Sequence, residues 1–190
     1  MRLQRSRSEG SVPNRPRYYW DADVFLSYIE GNDSARLSHI RPLLDDADDN
    51  KLEIVTSALT IVEVAYAPYE KAASALDQSI EDAIAGLWAA GSPIRVVEVD
   101  GLTASGARRL VREGIASRRA IKPADAVHLA TAMRLQVDAL HTYNLKDFQR
   151  WQKPTGLAVC HPESDHPQMV APTPTAPPRP VSQSPTAPRP

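Results

Sequence analysis

Four acidic residues stand where an open parallel sheet would gather them: Asp21, Glu63, Asp125 and Asp147. Asp21 closes the short run Tyr18-Tyr19-Trp20-Asp21, which reads as a strand. Glu63 falls in the helical stretch after a second strand. Asp125 is the third residue of Pro123-Ala124-Asp125-Ala126-Val127-His128, and Asp147 follows a strand ending at Thr142. Open parallel sheets bind ligands at the carboxyl ends of their strands, so all four acids could face one cleft. Carboxylates gathered in this way repel one another unless a cation neutralises them. Hard oxygen ligands select Mg²⁺ or Mn²⁺ over zinc.

Each acid also has a purely structural role open to it. Asp21 could cap a helix N-terminus, worth ~0.5–2 kcal/mol. Glu63 follows Thr60 at the spacing of a capping box. Asp125 lies in a helix first turn, where the helix dipole favours an anion, and Asp147 could cap a short turn before Trp151. What favours a shared site is the apolar setting. Ile61, Val62, Val64 and Ala65 bracket Glu63, and Ala124, Ala126, Val127, Leu129 and Ala130 bracket Asp125. Helices of this kind are expected to be buried on most sides, and a carboxylate in them needs a partner or a metal. Asp23, two residues after Asp21, could join the site or cap the first helix. His128, three residues after Asp125, is expected to be a satisfied, partly buried histidine. Asp45, Asp46, Asp48 and Asp49 form a charge run that reads as a solvated face.

Other catalytic designs lack their parts. Phosphate-binding glycine loops and nucleophile-elbow motifs are missing. Cys160-His161 with His166 makes at most half a zinc site. Between Arg108 and Lys122, however, six basic residues (Arg108, Arg109, Arg112, Arg118, Arg119, Lys122) stand against the single acid Glu113. This stretch leads into the Asp125 helix and is either a solvated helix face or a rim that grips phosphates.

Positioning the four acids requires an alternation of strands and helices, and the chain supplies it. Strands are expected at residues 18–21, 52–56, 94–99, 139–142 and 157–160. Helices are expected at 24–29, 36–47 with Pro42 as a possible kink, 59–67, a long 70–90, 103–117 and 123–135. In the last of these, proline occupies the first turn, where its missing N–H costs little. Short strands separated by helices predict an α/β fold with a mainly parallel sheet.

The 190 residues suit one domain plus tails. Residues 1–16 are polar and rich in Arg and Ser, and are expected to be a flexible segment. The folded domain is expected over 17–161. Residues 162–190 carry ten of the seventeen prolines, a composition that favours extended, solvated chain. The net charge of −1 argues against coating nucleic acid by bulk charge. The lone Cys160 forms no internal disulfide, and neither a signal peptide nor an apolar run of ~18 residues is present. A cytoplasmic protein with no membrane association is the natural expectation.

At these residues the chain resembles the PIN-domain nuclease family, including VapC-type toxins, over about residues 17–161. The resemblance rests on Tyr19-Trp-Asp-Ala-Asp-Val-Phe-Leu-Ser27, Thr56-Ser-Ala-Leu-Thr-Ile-Val-Glu63-Val64, Lys122-Pro-Ala-Asp-Ala-Val-His-Leu-Ala-Thr-Ala132 and Thr142-Tyr-Asn-Leu-Lys-Asp-Phe148. It implies a three-layer α/β/α fold and an endoribonuclease that hydrolyses RNA with a Mg²⁺- or Mn²⁺-activated water. Asp21 and Asp125 would be the main metal ligands, with Glu63 and Asp147 completing the catalytic cluster directly or through water. It further implies a role as toxin of a toxin–antitoxin pair, an antitoxin protein as partner, and a homodimer. Two positions depart from the family pattern. Ala22 and Asp23 stand where Thr or Ser and then Asn are common, and Asn144 stands at the first acidic position of the last motif, leaving Asp147 or the Asn144 oxygen to complete the set. Two rival readings are a degenerate PIN-like binding module and, from Asp21-Ala22-Asp23, a haloacid-dehalogenase-like phosphatase.

Overall fold

The computed structural model describes residues 15–65 and 67–163. The expectations for residues 1–14 and for the Pro-rich tail from 164 onward lie outside the described residues.

The element order is β1 (Arg17–Trp20), α1 (Ala22–Glu30), α2 (Ser34–Asp48), β2 (Glu53–Ser57), α3 (Ala58–Val64), α4 (Pro68–Ala73), α5 (Gln78–Trp88), β3 (Ile94–Val97), α6 (Gly101–Ala116), α7 (Pro123–Arg134), β4 (Ala139–His141), α8 (Leu145–Thr155) and β5 (Ala158–Cys160). The five strands form one sheet in the order β3-β2-β1-β4-β5, and every pairing is parallel. Successive strand residues point to opposite faces, and the two faces carry separate cores. Tyr18, Trp20, Ile54, Ile94 and Ala139 pack with Val24, Phe25, Ile40, Leu43 and Leu87. Tyr19, Val55, Leu140 and Val159 pack with Leu110, Leu129, Phe148 and Trp151. The result is the expected three-layer α/β/α arrangement, with β1 buried on both faces at the centre.

The strand order makes β1 a switch point. The chain leaves β1 outward through β2 and β3, then returns to lay β4 against the other side of β1, pairing Trp20 with His141. A crevice opens beyond the carboxyl ends of the strands at such a reversal, and Asp21 and Thr142 are the residues that follow β1 and β4.

The structure differs from the expected elements in three places. The long helix over 70–90 is two helices. Ser74 adopts a left-handed conformation (φ 51°), Asp77 caps α5 by accepting from the Ser79 amide at 2.8 Å, and the buried Glu70 takes the Asp77 amide at 2.6 Å. The expected turn around Asp147 is instead helix α8, which buries Phe148 and Trp151 one turn apart and contains Pro154 near its end. The Glu63 helix is not buried on most sides: Ile61 and Val62 are 39% and 69% exposed. Pro42 lies inside α2, which continues to Asp48; proline's missing donor and ring bulk weaken a helix there without forcing it to stop.

The end of α6 has little room. The Arg119 amide reaches back to the Gly114 carbonyl at 2.8 Å, with Arg118 in the left-handed region at φ 57°. A Cβ on Gly114 would lie 2.7 Å from the Arg119 carbonyl oxygen and 3.2 Å from the Trp151 ring. Gly114→Ala should therefore destabilise the domain by about 1–3 kcal/mol through overpacking, despite the ~1 kcal/mol that alanine normally gains over glycine in a helix. Urea denaturation checks this; unchanged or raised stability would contradict it.

Candidate functional site

The site begins where β1 stops. The Asp21 amide continues the β1–β4 ladder to the His141 carbonyl at 3.0 Å, and its side chain then caps α1, Oδ1 accepting from the Ala22 amide at 2.8 Å. Asp21 is thus both a helix cap and a buried acid. Its Oδ2 lies 3.0 Å from the Thr142 hydroxyl, which is also 3.0 Å from Asp23 Oδ2. A hydroxyl has one proton to donate, so Thr142 cannot satisfy both carboxylates at once. Asp23 Oδ2 takes the Tyr143 amide at 3.0 Å as well. Burial raises the Asp21 carboxyl above its usual range. Burial and the Asp21 charge push Asp23 up to about 6.

Glu63 reaches the cluster from α3. The Thr60–Glu63 pair makes no capping box: Ser57 is the N-cap of α3 and makes no side-chain cap, and the Thr60 hydroxyl pairs with the Thr56 hydroxyl at 2.7 Å. Glu63 Oε2 instead lies 2.6 Å from His128 Nε2, which is also 3.5 Å from Asp21 Oδ1. His128 Nδ1 lies 2.7 Å from the Tyr19 hydroxyl, which accepts from the Ser57 amide at 3.1 Å. With the Tyr19 hydroxyl donating to Nδ1, the neutral ring carries its hydrogen on Nε2, and the charged ring carries one on both nitrogens. In either state Nε2 donates to Glu63. Burial pulls the imidazole pKa down, but Tyr19, Glu63 and Asp21 outweigh it and hold it well above the usual value.

Asp125 occupies the first turn of α7, half-buried, and its Oδ2 is buried with no hydrogen-bond partner among the described residues. Burial raises its carboxyl, Lys122 opposes this, and Asp147 and Glu63 add repulsion. Asp147, in the first turn of α8, is more open. The Asn144 side-chain Nδ2 donates to its Oδ2 at 2.9 Å and Lys122 Nζ lies 3.5 Å away, so its carboxyl is held below the usual range.

Asp21, Asp23 and Glu63 are therefore linked by contact through Thr142 and His128, while Asp125 couples electrostatically to Glu63 and Asp147. Among the described residues no three acids, histidines or cysteines are drawn tightly enough to form a ready-made cation cage. The donor set nonetheless suits a hard divalent cation. It is all oxygen, its carboxylates repel, and Asp23 Oδ1 and Asp125 Oδ2 are buried without hydrogen bonds among the described residues. His128 is more deeply placed than expected and touches two of the acids; its spacing of three from Asp125 was the only sequence signal. Thr142 and Tyr19 carried no signal of their own beyond the motifs that contain them.

The basic stretch divides. Arg108, Arg109 and Arg112 are exposed along α6. Arg119 pairs with Glu113 at 3.0 Å and lies over the Trp151 ring. Lys122 borders the cluster through Asp147. No helix of the described residues is long and apolar enough to cross a membrane.

A family model described as PIN domain matches residues 18–153. Among curated protein sequences none matches significantly. Among solved structures, the chain is similar to DNA-bound VapBC from Salmonella typhimurium, with a TM-score of 0.56 and 19% identity over 76% of this chain and 96% of that one. FitAcB from Neisseria gonorrhoeae gives 0.55 and 17%, over 76% and 97%. VapC20 from Mycobacterium tuberculosis, described as a Sarcin-Ricin loop cleaving toxin, gives 0.53 and 14%, over 70% and 93%. At such identities these are likenesses of fold.

The crowding of acids generates a stability test. Asp125→Asn should raise the melting temperature in EDTA, because it removes a buried charge that its neighbours repel. Wild type should gain about 2.7 kcal/mol from Mg²⁺ or Mn²⁺ at ~100 times Kd, and the variant less than half of that at the same concentration. Scanning calorimetry with and without metal checks both; an equal metal gain in the two proteins would remove Asp125 from the ligand set.

Proposed function

The chain belongs to the PIN domain family, and from that premise we propose that it is a metal-dependent endoribonuclease hydrolysing RNA phosphodiester bonds. Asp21 and Asp125 would be the main ligands of Mg²⁺ or Mn²⁺, with Glu63 and Asp147 completing the set directly or through water. The observation that carries this reading is the convergence of carboxylates beyond β1 and β4, with buried oxygens on Asp23 and Asp125 that lack hydrogen bonds.

Three of the four, Asp21, Glu63 and Asp147, are held by hydrogen bonds. The Ala22 amide and Thr142 hydroxyl fix the Asp21 carboxylate. His128 Nε2 donates to Glu63 Oε2 and so fixes that carboxylate. Asn144 orients Asp147. A divalent cation, when bound, supplies a lowered water pKa and neutralises charge on the phosphate. Lys122, mostly exposed beside Asp147, adds positive charge where a phosphodiester would approach. Water adds across the P–O bond, the leaving ribose oxygen takes a proton, and no side chain forms a covalent adduct.

The similar solved structures include VapBC assemblies and a chain described as a Sarcin-Ricin loop cleaving toxin. By that likeness we extend the proposal to a toxin whose partner is an antitoxin protein, acting as a homodimer in the cytoplasm.

Incubating the purified chain with single-stranded RNA or DNA in Mg²⁺, Mn²⁺ or EDTA tests the reading. RNA should be cut only with metal. Asp21→Asn and Asp125→Asn should each lose at least about 100-fold in rate, the equivalent of a few kcal/mol of lost charge stabilisation, while circular dichroism stays native. Cleavage that survives EDTA, or full activity in either variant, contradicts it. The rim has a separate readout. Changing Arg118, Arg119 and Lys122 to Gln should weaken binding of single-stranded RNA and flatten the log–log salt slope by ~0.7 per lost phosphate contact. An unchanged slope would assign these residues to the solvated surface.

A further inference from the structure

At the cavity beside Tyr143, whose backbone amide donates to Asp23, we propose a subsite for one unpaired nucleobase of the bound RNA strand; the proposal rests on the nuclease reading above. The cavity measures about 330 Å³, and its walls include Arg36, His39, Tyr143, His161 and Glu163. That volume is at the lower end of small-ligand sites, which start at ~300 Å³.

Its parts are held in place before any ligand arrives. The Arg36 guanidinium lies 4.0 Å over the Tyr143 ring, donates to the Ser27 hydroxyl at 2.9 Å and pairs with Asp33 at 3.3 Å. The His161 ring tilts against the other partner of this stack, 5.4 Å from Tyr143 and inclined at 43°. Arg36, His39 and His161 are exposed, so planar surfaces and polar edges remain open to a ligand.

The charge pattern selects a base over a phosphate. Asp33 already answers Arg36, and Glu163 adds a further negative charge among the walls. An anion gains little there. A planar, uncharged ring stacks on aromatic and guanidinium surfaces whatever its identity, because every base has a π face.

Position ties the cavity to the chemistry. The Tyr143 amide donates to Asp23 Oδ2 at 3.0 Å, and the preceding residue, Thr142, contacts both Asp21 and Asp23. A base seated against Tyr143 therefore belongs to a nucleotide adjoining the phosphate at the carboxylates. Arg36, Tyr143 and His161 would set which unpaired position of the strand is presented for cleavage.

The test uses the full chain in EDTA, a fluorescently labelled hexa-adenylate RNA, and the same hexamer with single abasic positions. Tyr143→Leu and His161→Ala should each weaken hexamer binding by roughly 5- to 100-fold, the range that base–aromatic stacking supports. Tyr143→Phe should keep most of the affinity. One abasic position should reproduce the loss in wild type and add nothing in His161→Ala. Adenylate binding should also move the His39 and His161 ring-proton resonances of wild type upfield. If Tyr143→Leu fails to fold, the exposed His161 variant and the resonances carry the test. Hexamer binding with still resonances and indifference to His161→Ala overturns the subsite while leaving the nuclease reading intact. Absence of RNA binding and of metal-dependent cleavage in wild type overturns both.

Discussion

Charge crowding beyond the end of β1 is the constraint that the surrounding structure answers. Carboxylates in a partly dry setting cannot all ionise side by side without compensation. Here the compensation is incomplete by construction. Thr142 has one proton for Asp21 and Asp23, and His128 spans Glu63 and Asp21 from a fully buried position. Asp125 keeps a buried oxygen without a hydrogen bond among the described residues. A purely structural network would close these valences, since a half-satisfied polar cluster costs more than an apolar one. The open valences are the strongest argument that the cluster is built for something that arrives from outside.

The scaffold bears that cost through its two cores. Tyr19 shows how directly they connect. Its ring belongs to the core under α6, α7 and α8, while its hydroxyl takes the Ser57 amide and contacts His128. The end of β2, the centre of β1 and the middle of α7 are thereby tied through one side chain. On the opposite face Trp20 is fully buried against Phe25, and its carbonyl accepts from the Thr56 hydroxyl at 2.8 Å. The strand ends that carry the site are cross-linked by side chains as well as by the sheet ladder.

Much of the fold is legible in the sequence. The alternation of apolar runs announced a parallel α/β sheet, because strands buried on both faces read as near-continuous apolar segments. The acids Asp21, Glu63 and Asp125 stood out by following strands or sitting in apolar helices. What stayed hidden depends on contacts between distant segments. Glu63 looked buried from its neighbours Ile61 and Val62, yet those two side chains point outward. Helix α8 was obscured by its charged residues and Pro154, although Phe148 and Trp151 carry its buried stripe. The break between α4 and α5 depends on Glu70 capturing the Asp77 amide, a local hydrogen bond that periodicity does not encode. His128 looked like an ordinary core histidine because Tyr19 and Glu63, its partners, lie 109 and 65 positions away.

The placement of β4 beside β1 also sets a schedule. Asp21 and Thr142 are separated by 121 positions, so the carboxylate cleft has no second wall until most of the chain has been made. At ~5–20 residues per second of synthesis, roughly 6–24 s pass between the emergence of the first acid and that of the threonine that braces it. During that interval Asp21 is an exposed carboxylate at the end of an unpaired strand edge. The two-walled arrangement of acids is therefore a late product of synthesis, set by the strand order β3-β2-β1-β4-β5.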